Sequence, residues 1–579
     1  MTVSSPEWST RTFGNEDRLP RVPLPTLEDS GRRFLEWCAP LLTPDELAET
    51  EAAVAEFLAG PGPELQARLE EYDRSPGVRS WLDTFWPYRY LGRRDRIALN
   101  ANFFFLFSES PLGQVERAAE LTAAAVDYKL KLDGELVPPV LLRGTPQSMV
   151  QHKFLFSATR IPGEVLDTAR TRFPSPERHI VVFSKGTPFR LDVLAADGRP
   201  YPPAQLGEAL RAILKDDHRT DVPAGPFTTK ARAEWAASRA ALLEAGNADA
   251  LEAIETALFC LCLDDFTPSN ALEAGDRLLY GDNRWYDKAV SLIVFEDGTA
   301  GINVEHCELD GTTILGFTDA LLSGSREPRE TTDGVPGFEA IEFTLTDELR
   351  EDALAAAAAY RAYAEATATQ TVSFDFGANR AKELGMSPDA FAQMAYQLAH
   401  RRAKGLTGAT YESIATRQFR NGRTEAMRVV TPEVVRFADV LTSSSASADE
   451  KREAFRAAAA KHVARAKECQ AGDAPEQHLW ELQLIGKRRG DAETPALYSA
   501  PGWLKLRDDY LSTSSAPSVN IQYFGFGSTS PQCIGIAYVL LPDRWNIYLS
   551  TPKHVSAEMY RFADELAVAV QELQELLAG

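Results

Sequence analysis

Residues 281–311 contain the most informative pattern in the chain, and they read GDNRWYDKAVSLIVFEDGTAGINVEHCELDG. The segments 289–296 and 299–305 are rich in apolar side chains. The Asp-Gly pair at positions 297–298 is a strong hairpin signal, because both residue types tolerate the positive φ of a tight turn. The pattern predicts two antiparallel strands, the second of which ends at His306.

His306 is the first candidate for chemistry. Side chains alternate between the two faces of a strand, so Ile302, Val304 and His306 share a face, and the two apolar neighbours predict that it points inward. A partly desolvated imidazole favours its neutral form at pH 7 and can accept a proton. The competing interpretation is a core histidine that is satisfied by a backbone carbonyl. Asp310 follows one helical turn later, where it is also a natural turn residue before Gly311.

Length and composition narrow the class of protein. The 579 residues exceed what one hydrophobic core normally supports, so at least two domains are expected. With 44% hydrophobic and 25% charged residues, the composition is that of a globular protein. A net charge of -22 makes nucleic acid an unexpected partner, because an acidic surface repels a polyanion.

Membrane insertion, secretion and metal binding find no support in the sequence. No apolar run approaches the ~20 residues needed to span a bilayer, and the N-terminus lacks the basic start and apolar stretch of a secretory signal. A cytoplasmic location is therefore expected. The six cysteines are scattered without paired spacing, which predicts buried free thiols, and no metal is expected.

The pattern along the chain predicts an α/β protein. Residues 1–18 are polar and unpatterned, which predicts a flexible tail. From about residue 93 strand-like and helical patterns mix up to the hairpin. An alanine-dominated helix at 349–366 marks where a second domain begins or resumes, and the end of the chain alternates strands before a final helix at 556–577.

Ten landmarks occur in a fixed order along nearly the whole chain. They are LPRVPLP (19–25), LNANF (99–103), RIPG (160–163), FTT (227–229), NRWYDK (283–288), EHCELDG (305–311), SPDA (387–390), ATYES (409–413), GRT (422–424) and LSTS (511–514). Taken together, the chain resembles the choline/carnitine O-acyltransferases. The histidine motif alone is shared with the wider chloramphenicol-acetyltransferase-like superfamily, so the ordered set carries the resemblance.

The resemblance implies a two-domain α/β enzyme with a chloramphenicol-acetyltransferase-like fold and an interdomain active-site tunnel. The first lobe would span residues 93–345 and carry the histidine. The second lobe would combine residues 19–92 with 346–579. Acyl-CoA would enter the tunnel as a co-substrate from one side and a small hydroxylated acceptor from the other, and no permanently bound cofactor is implied.

The resemblance also assigns catalytic roles. His306 would accept the proton of the acceptor hydroxyl as its oxygen attacks the thioester, and would return it to the departing CoA thiolate. Asp310 would orient or polarise the imidazole. Ser514 would donate a hydrogen bond to the oxyanion, although a serine at this place without the resemblance is an ordinary turn residue. Arg284 and Asp287 would form a supporting pair beside the histidine.

The CoA contacts depart from the family pattern. The family uses lysines in the loop before the Ser-Pro-Asp helix. Lys382 aligns with one of them, and Ala378 occupies the place of the other. Phosphate binding would therefore fall to Lys382 or Arg380.

The acceptor contacts depart further. Carnitine enzymes hold the substrate carboxylate with a tyrosine, a threonine and an arginine. Tyr411 and Thr424 match the first two, but Gln477 stands at the arginine position, and a glutamine supplies neither a countercharge nor a guanidinium fork. The residues of choline enzymes are not matched either. The expected acceptor is a neutral or differently charged hydroxyl compound rather than carnitine, held by hydrogen bonds from these three residues.

The acyl pocket is assigned to Gln522 and Phe524. Gln522 falls where short-chain members of the family have methionine and long-chain members have glycine. A side chain of this size predicts a short or polar acyl group, and its amide would be stranded against a purely alkyl tail.

Two other functions fit fewer residues. A transferase that takes its acyl group from an acyl carrier protein, as condensation-type enzymes do, would share the spacing of His306 and Asp310. An acyl-CoA-binding scaffold would be a protein without catalysis. The scaffold would need none of the residues His306, Asp310 and Ser514.

Overall fold

The structure, a computed structural model, describes residues 8–324, 332 and 334–579. The described residues pack as two compact units, which are considered separately below. Their bounds are Met1–Arg18, Trp86–Thr367 and Ser518–Gly527 for the first unit, and Leu19–Phe85, Ala368–Pro517 and Ser528–Gly579 for the second.

The bounds of the units differ from those of the predicted lobes. Residues 86–92, 346–367 and 518–527 were predicted for the second lobe and lie within the first unit. For residues 518–527 the cause is backbone pairing, because Ile521–Phe526 forms a strand that is hydrogen-bonded to Phe103–Phe107.

The tail predicted for residues 1–18 is in part a packed segment. Residues 1–7 lie outside the described residues. Glu16 is buried, and its carboxylate accepts hydrogen bonds from the hydroxyl of Ser148 (2.9 Å) and from the backbone N–H of Met149. The prediction of a flexible tail is wrong for this part, because polarity alone does not reveal that the polar groups have buried partners.

The described residues form 18 strands. In chain order they are β1 (Phe103–Phe107), β2 (Leu141–Leu142), β3 (Thr145–Pro146), β4 (Ala158–Ile161), β5 (Thr168–Thr171), β6 (His179–Ser184), β7 (Thr187–Asp192), β8 (Cys260–Leu263), β9 (Val290–Val294), β10 (Ala300–Val304), β11 (Phe338–Ala340), β12 (Thr367–Phe374), β13 (Thr410–Ala415), β14 (Thr424–Arg428), β15 (Leu511–Ser515), β16 (Ile521–Phe526), β17 (Ile534–Leu540) and β18 (Trp545–Pro552).

The described residues also form 19 α-helices. They are α1 (Leu27–Cys38), α2 (Pro44–Ala59), α3 (Gly62–Asp73), α4 (Phe85–Tyr90), α5 (Ile97–Asn100), α6 (Gln114–Asp133), α7 (Pro203–Lys215), α8 (Arg232–Glu244), α9 (Ala248–Thr256), α10 (Ala271–Tyr280), α11 (Gly311–Ser323), α12 (Asp347–Glu365), α13 (Ala378–Glu383), α14 (Pro388–Lys404), α15 (Pro432–Thr442), α16 (Ala448–Gln470), α17 (Glu476–Arg489), α18 (Pro501–Arg507) and α19 (Ser556–Ala578). None of them is both long and apolar enough to cross a membrane.

Each unit contains one large mixed sheet. In the first unit eight strands follow the order β11-β7-β6-β8-β9-β10-β1-β16, with parallel pairing only at β6-β8 and β8-β9 among the pairs given by the described residues. In the second unit six strands follow the order β12-β18-β17-β15-β13-β14, and β15 runs parallel to both β13 and β17. Helices alternate with these strands along the chain, so the predicted two-domain α/β class is confirmed.

The hairpin predicted around Asp297 and Gly298 is confirmed, with a different turn. β9 and β10 pair antiparallel, with Ala300 opposite Val294. Only Gly298 of the two turn residues has positive φ (+85°), and its N–H donates to the carbonyl of Phe295 (2.9 Å). A four-residue turn from Phe295 to Gly298, whose last residue is the left-handed glycine, therefore replaces the two-residue turn.

The helix predicted after Ser387 is also confirmed. The Ser387 hydroxyl accepts a hydrogen bond from the N–H of Ala390, and Pro388 occupies the first helical position. The helix ends at Gly405, whose φ of +81° is the left-handed conformation that favours glycine. These local signals place Asp389 in the first turn of α14.

Candidate active site

His306 lies two residues beyond β10 in the first unit. Its side chain is 28% exposed, and Nδ1 is 2.7 Å from the backbone carbonyl oxygen of Leu309. A carbonyl oxygen only accepts hydrogen bonds, so Nδ1 carries the hydrogen when the ring is neutral. The lone pair then lies on Nε2. The local turn thus sets the tautomer that a general base needs.

Asp310 is buried beside the histidine but does not bond to it directly. Its Oδ1 is 3.7 Å from Nδ1 of His306, which is too long for a hydrogen bond. The other oxygen accepts a hydrogen bond from the side-chain amide of Gln151 (2.6 Å), and the backbone N–H of Asp310 donates to the same side chain (2.9 Å). The Leu309 carbonyl is thus the hydrogen-bond partner of Nδ1, and the role of Asp310 stays a prediction.

Two aromatic rings contact the imidazole. The ring centroid of Tyr90 is 5.0 Å from that of His306, and the centroid of Phe103 is 5.1 Å away in an edge-on arrangement. Phe103 is the first residue of β1 and pairs with Val304 of β10. The prediction that Val304 and His306 face the same apolar side is consistent with this packing.

The side chain of Arg160 contacts two residues next to His306, its chain neighbour Glu305 and the aromatic residue Tyr90. It is fully buried, and its guanidinium contacts Oε1 of Glu305 (3.2 Å) and Oδ2 of Asp167 (2.6 Å). It also donates to the backbone carbonyl of Tyr90 (2.9 Å). One side chain therefore holds both the residue that precedes His306 and the residue whose ring covers it.

Asp167 links Arg160 to a further set of buried ion pairs. Arg232 contacts Asp167 (2.7 Å) and Asp287 (2.8 Å), and the indole N–H of Trp235 donates to Asp287 (2.6 Å). Burial alone would raise the pKa of Asp167, but the charges of Arg232 and Arg160 outweigh it and lower that pKa. For Asp287 the balance is reversed, because burial raises its pKa by more than the charge of Arg232 and the hydrogen bonds from Arg232 and Trp235 lower it.

The predicted pairing of Arg284 with Asp287 is wrong. Arg284 instead forms a two-pronged ion pair with Asp264, at 2.7 and 2.8 Å. Asp287 pairs with Arg232. Arg284 thus binds the aspartate 20 positions away and not the one three residues away, so only the folded chain shows which carboxylate each arginine reaches.

Aromatic side chains extend from the histidine along one face of the sheet. Phe524 of β16 is buried, with its ring centroid 6.1 Å from Phe103 and 5.4 Å from Phe105. Phe524 pairs directly with Phe105, so both project from the same face of the sheet. These rings form an apolar wall beside the imidazole, where the sequence placed the acyl group.

Gln522 lies on the same strand two residues before Phe524, and it has no direct partner on β1. Its amide nitrogen donates to the backbone carbonyl of Phe107 (2.7 Å), at the point where the register of β1 and β16 shifts. The expectation of an amide stranded against an acyl tail is wrong, because the sheet irregularity supplies its partner.

The remaining predicted residues lie in the second unit, and its sheet brings several of them to one face. Tyr411 of β13 is in register with Ser512 of β15. Ser514 follows two residues later and shares the face of Ser512. Thr424 of β14 pairs with Ala415, two alternations along β13 from Tyr411, and so projects from that face as well. Ser514 is half-buried near the end of its strand.

Gln477 meets Thr424 at the start of α17. It is 3% exposed, and its side-chain N–H donates to the backbone carbonyl of Thr424 (2.8 Å). Nearby, Arg428 is bound by both carboxylate oxygens of Glu476 (2.6 and 2.7 Å) and by Asp509 (2.5 Å). The structure thus brings together Thr424 and Gln477, two of the three residues assigned to the acceptor.

The two residues assigned to CoA lie on the short helix α13. Arg380 donates to the side-chain oxygen of Gln574 (2.9 Å) and contacts Glu383 (3.1 Å). Lys382 is exposed. Of the two, the lysine is the more accessible cation.

Asp389, Glu412 and His462 form a compact cluster on the other face of this sheet, and their possible ligand atoms lie within 4.8 Å of one another. Nε2 of His462 is 3.1 Å from Asp389 and 3.4 Å from Glu412. Burial raises the pKa of Glu412 well above its usual range. Burial would also raise the pKa of Asp389, but the hydrogen bond to His462 lowers it. The opposite directions of these two pKa shifts favour the proton on Glu412 rather than on Asp389. The expectation of no metal stays a prediction.

Sequence reasoning missed most of the surroundings of His306. Neither Tyr90 nor Gln151 belongs to a motif that pointed to the site. Arg160 lies in one of the ten landmarks, which was the one available hint of its role. The Leu309 carbonyl is invisible to side-chain patterns, because any residue supplies one.

The chain is similar in sequence to several O-acyltransferases, and this similarity identifies its class. It is 32% identical to the mitochondrial carnitine O-palmitoyltransferase 2 of Rattus norvegicus, over 92% of this chain and 88% of the relative. It is 29% identical to carnitine O-acetyltransferase of Homo sapiens, over 98% and 95%. It is 32% identical to the peroxisomal carnitine O-octanoyltransferase of Mus musculus, over 85% and 84%.

The family model for choline/carnitine O-acyltransferase matches residues 22–568. The chain belongs to this family, as the ordered landmarks implied. It is an enzyme that transfers an acyl group to a hydroxyl acceptor.

Solved structures resemble the chain more distantly. The trichothecene 15-O-acetyltransferase of Fusarium sporotrichioides covers 83% of this chain and 92% of its own at 11% identity, with a TM-score of 0.38. A TM-score of this size establishes no detail of the fold. Neither a carrier-protein partner nor a cytoplasmic location finds support in the relatives, and both stay predictions.

Proposed function

We propose that this enzyme transfers a short or polar acyl group from acyl-CoA to a hydroxyl acceptor other than carnitine, with His306 as the general base. One observation carries the proposal. The hydrogen bond between Nδ1 of His306 and the Leu309 carbonyl (2.7 Å) leaves the lone pair on Nε2 of a half-buried ring.

The chemistry follows from that lone pair. The pKa of an alcohol is far above 7, so its oxygen attacks a thioester efficiently only as its proton is removed. Nε2 takes this proton while the oxygen forms its bond to the thioester carbon. When the carbon–sulfur bond breaks, the same nitrogen returns the proton to the departing thiolate. The thioester is activated enough that no covalent enzyme intermediate is needed.

The charge of Asp310 supports the imidazolium that forms during the reaction. Its Oδ1 is 3.7 Å from Nδ1, and the low exposure of this carboxylate strengthens the interaction. The side-chain amide of Gln151 donates to the carboxylate, and the backbone N–H of Asp310 donates to the side-chain oxygen of Gln151, so both ends of the amide hold Asp310 in place. Asp310 thus acts through the histidine rather than on the substrate.

Ser514 is proposed as the donor to the oxyanion. We expect Ser514→Ala to lower kcat by about 10²–10³-fold with a small change in KM, because such a donor binds charge that develops only in the transition state. Steady-state thiol release from acetyl-CoA measures the effect. Ser515→Ala is the matched control, since Ser515 is exposed and points to the opposite face. Equal rates for the two variants would remove Ser514 from the mechanism.

Gln522 is proposed to limit the length of the acyl group. We expect Gln522→Gly to raise the ratio of kcat/KM for octanoyl-CoA over acetyl-CoA by more than about tenfold, because each buried CH₂ contributes roughly 0.8 kcal/mol once space is open. Gln522→Met is the matched control, because methionine keeps the volume and should keep the short-chain preference. The assignment fails if the glycine and methionine variants show the same chain-length profile.

Two further residues are assigned to the substrates, one to the acyl-CoA donor and one to the acceptor alcohol. Lys382 is proposed to contact a phosphate of CoA as an exposed cation. The named relatives act on carnitine, but Gln477 lacks the positive charge that a carboxylate requires, so a different acceptor is proposed.

A thiol-release screen tests the whole proposal. Short and long acyl-CoA donors are combined with a panel of small alcohols, and a thiol reagent records free CoA. We expect release that depends on both substrates and favours short donors. If no alcohol supports thiol release from any donor, the result would instead favour an acyl-CoA-binding scaffold.

A further inference from the structure

The side-chain oxygen of Gln477 is the starting point. Oε1 is buried, and the described residues supply no hydrogen-bond partner for it. The amide nitrogen must be the atom that faces Thr424, because the backbone carbonyl there only accepts. The orientation of the amide is thereby determined, and Oε1 points elsewhere.

A buried acceptor atom of this kind calls for an explanation. Most buried side-chain oxygens in proteins are hydrogen-bonded, and leaving one without a donor costs free energy. Gln477 is 3% exposed, so bulk water has little access to its oxygen and does not supply the missing hydrogen bond. A bound molecule that places a hydrogen-bond donor against Oε1 would remove this cost.

The two arginines that contact Glu476, the residue before Gln477, are already paired with carboxylates of the protein. Arg428 is already held by Glu476 and Asp509, and Arg507 lies 3.7 Å from Glu476. Each of these guanidinium groups is thus matched by a carboxylate of the protein. A substrate carboxylate would present only acceptor atoms to the Gln477 oxygen, and two acceptors repel each other.

We propose that the acceptor is an alcohol that carries a second hydrogen-bond donor, an O–H or N–H group, and no carboxylate, and that this donor binds Oε1 of Gln477. The inference rests on the proposed function, because it takes Gln477 as part of the acceptor site. It adds the chemical class of the acceptor. Discrimination by a buried polar group is strong, because the wrong substrate leaves that group unpaired.

A substrate series on one carbon skeleton tests the inference. The probes are 1,3-butanediol, 3-hydroxybutyramide, methyl 3-hydroxybutyrate and 3-hydroxybutyrate, with acetyl-CoA as the donor. The diol and the amide carry a second donor, the ester carries none, and the last probe is a carboxylate. We expect kcat/KM for the diol and the amide to exceed that for the ester by at least about tenfold, with the carboxylate slowest.

A binding measurement separates this inference from the catalytic mechanism. Calorimetry on the His306→Ala protein measures affinity for the same four probes without turnover, and the same order is expected. Gln477→Arg should reverse the order and favour 3-hydroxybutyrate, whereas Gln477→Met should abolish the preference for the diol and the amide. If the variants fail to fold, the series on the unmodified protein still decides.

The outcomes are distinguishable. Thiol release without discrimination within the series, or with the carboxylate preferred, overturns this inference and leaves the proposed function in place. Absence of thiol release with every alcohol overturns the proposed function, and the inference with it. The expected order in both rate and affinity supports both.

Discussion

Replacing His306 with alanine is expected to lower kcat/KM for thiol release by about three orders of magnitude or more. The reason is that the variant has no group to remove the proton of the acceptor hydroxyl. The measurement is steady-state thiol release from acetyl-CoA with a reactive alcohol. Added imidazole should restore part of the rate, because a small base can enter the space left by the side chain.

The matched control for this prediction is His554→Ala. His554 is exposed and lies in the second unit, so its removal should leave the rate unchanged. Circular dichroism of both variants checks that the fold is retained. A near-normal rate for His306→Ala would dispose of the proposed mechanism.

Replacing Arg160 with methionine is expected to lower the free energy of unfolding by about 3–5 kcal/mol. The side chain is fully buried, and its removal leaves the carboxylate of Glu305 without its charged partner. It also removes the hydrogen bond to the carbonyl of Tyr90, whose ring covers His306. Denaturant unfolding measures the stability, and the rate of thiol release is expected to fall in the fraction that remains folded.

Arg68→Met is the matched control for the loss of an arginine. Its ion pair with Glu64 is exposed on both sides, so solvent replaces the lost contact and no measurable change in stability is expected. Equal stabilities for the two variants would show that the buried charges do not support the histidine loop.

The hairpin that carries His306 was predictable from the sequence. Apolar runs on either side of Asp297-Gly298 specify two strands, because turn preferences and side-chain alternation act over a few residues. The cap at Ser387 was predictable for the same reason. The turn type was not, since the conformation of Asp297 depends on the hydrogen bonds that its neighbours make.

The partners of buried charges were not predictable. Asp287 and Arg284 are three residues apart, yet they bind Arg232 and Asp264, which lie 55 and 20 positions from them along the chain. Opposite charges attract over any separation in sequence, so spacing alone does not select a pair. The packing of strands and helices decides which groups come within contact distance.

The hydrogen-bond partners of two side-chain amides were not predictable either. The sequence placed Gln522 and Gln477 at positions that the family uses for acyl and acceptor groups. Only the structure shows that the Gln522 nitrogen bonds to the carbonyl of Phe107, and that the Gln477 nitrogen bonds to the carbonyl of Thr424. An amide has a donor and an acceptor end, so its chemistry depends on which end the backbone uses.

The sequence by itself determined the family, the α/β class and the position of the histidine, because these depend on residue types in order and on local conformational preferences. The tertiary structure alone decided the tautomer of His306, the partner of Asp310 and the unpaired oxygen of Gln477. These properties depend on distances between atoms that are remote in the chain or belong to the backbone. Hydrogen bonds form only within about 3 Å and in the right direction, and that condition is met by the fold rather than by the residue type.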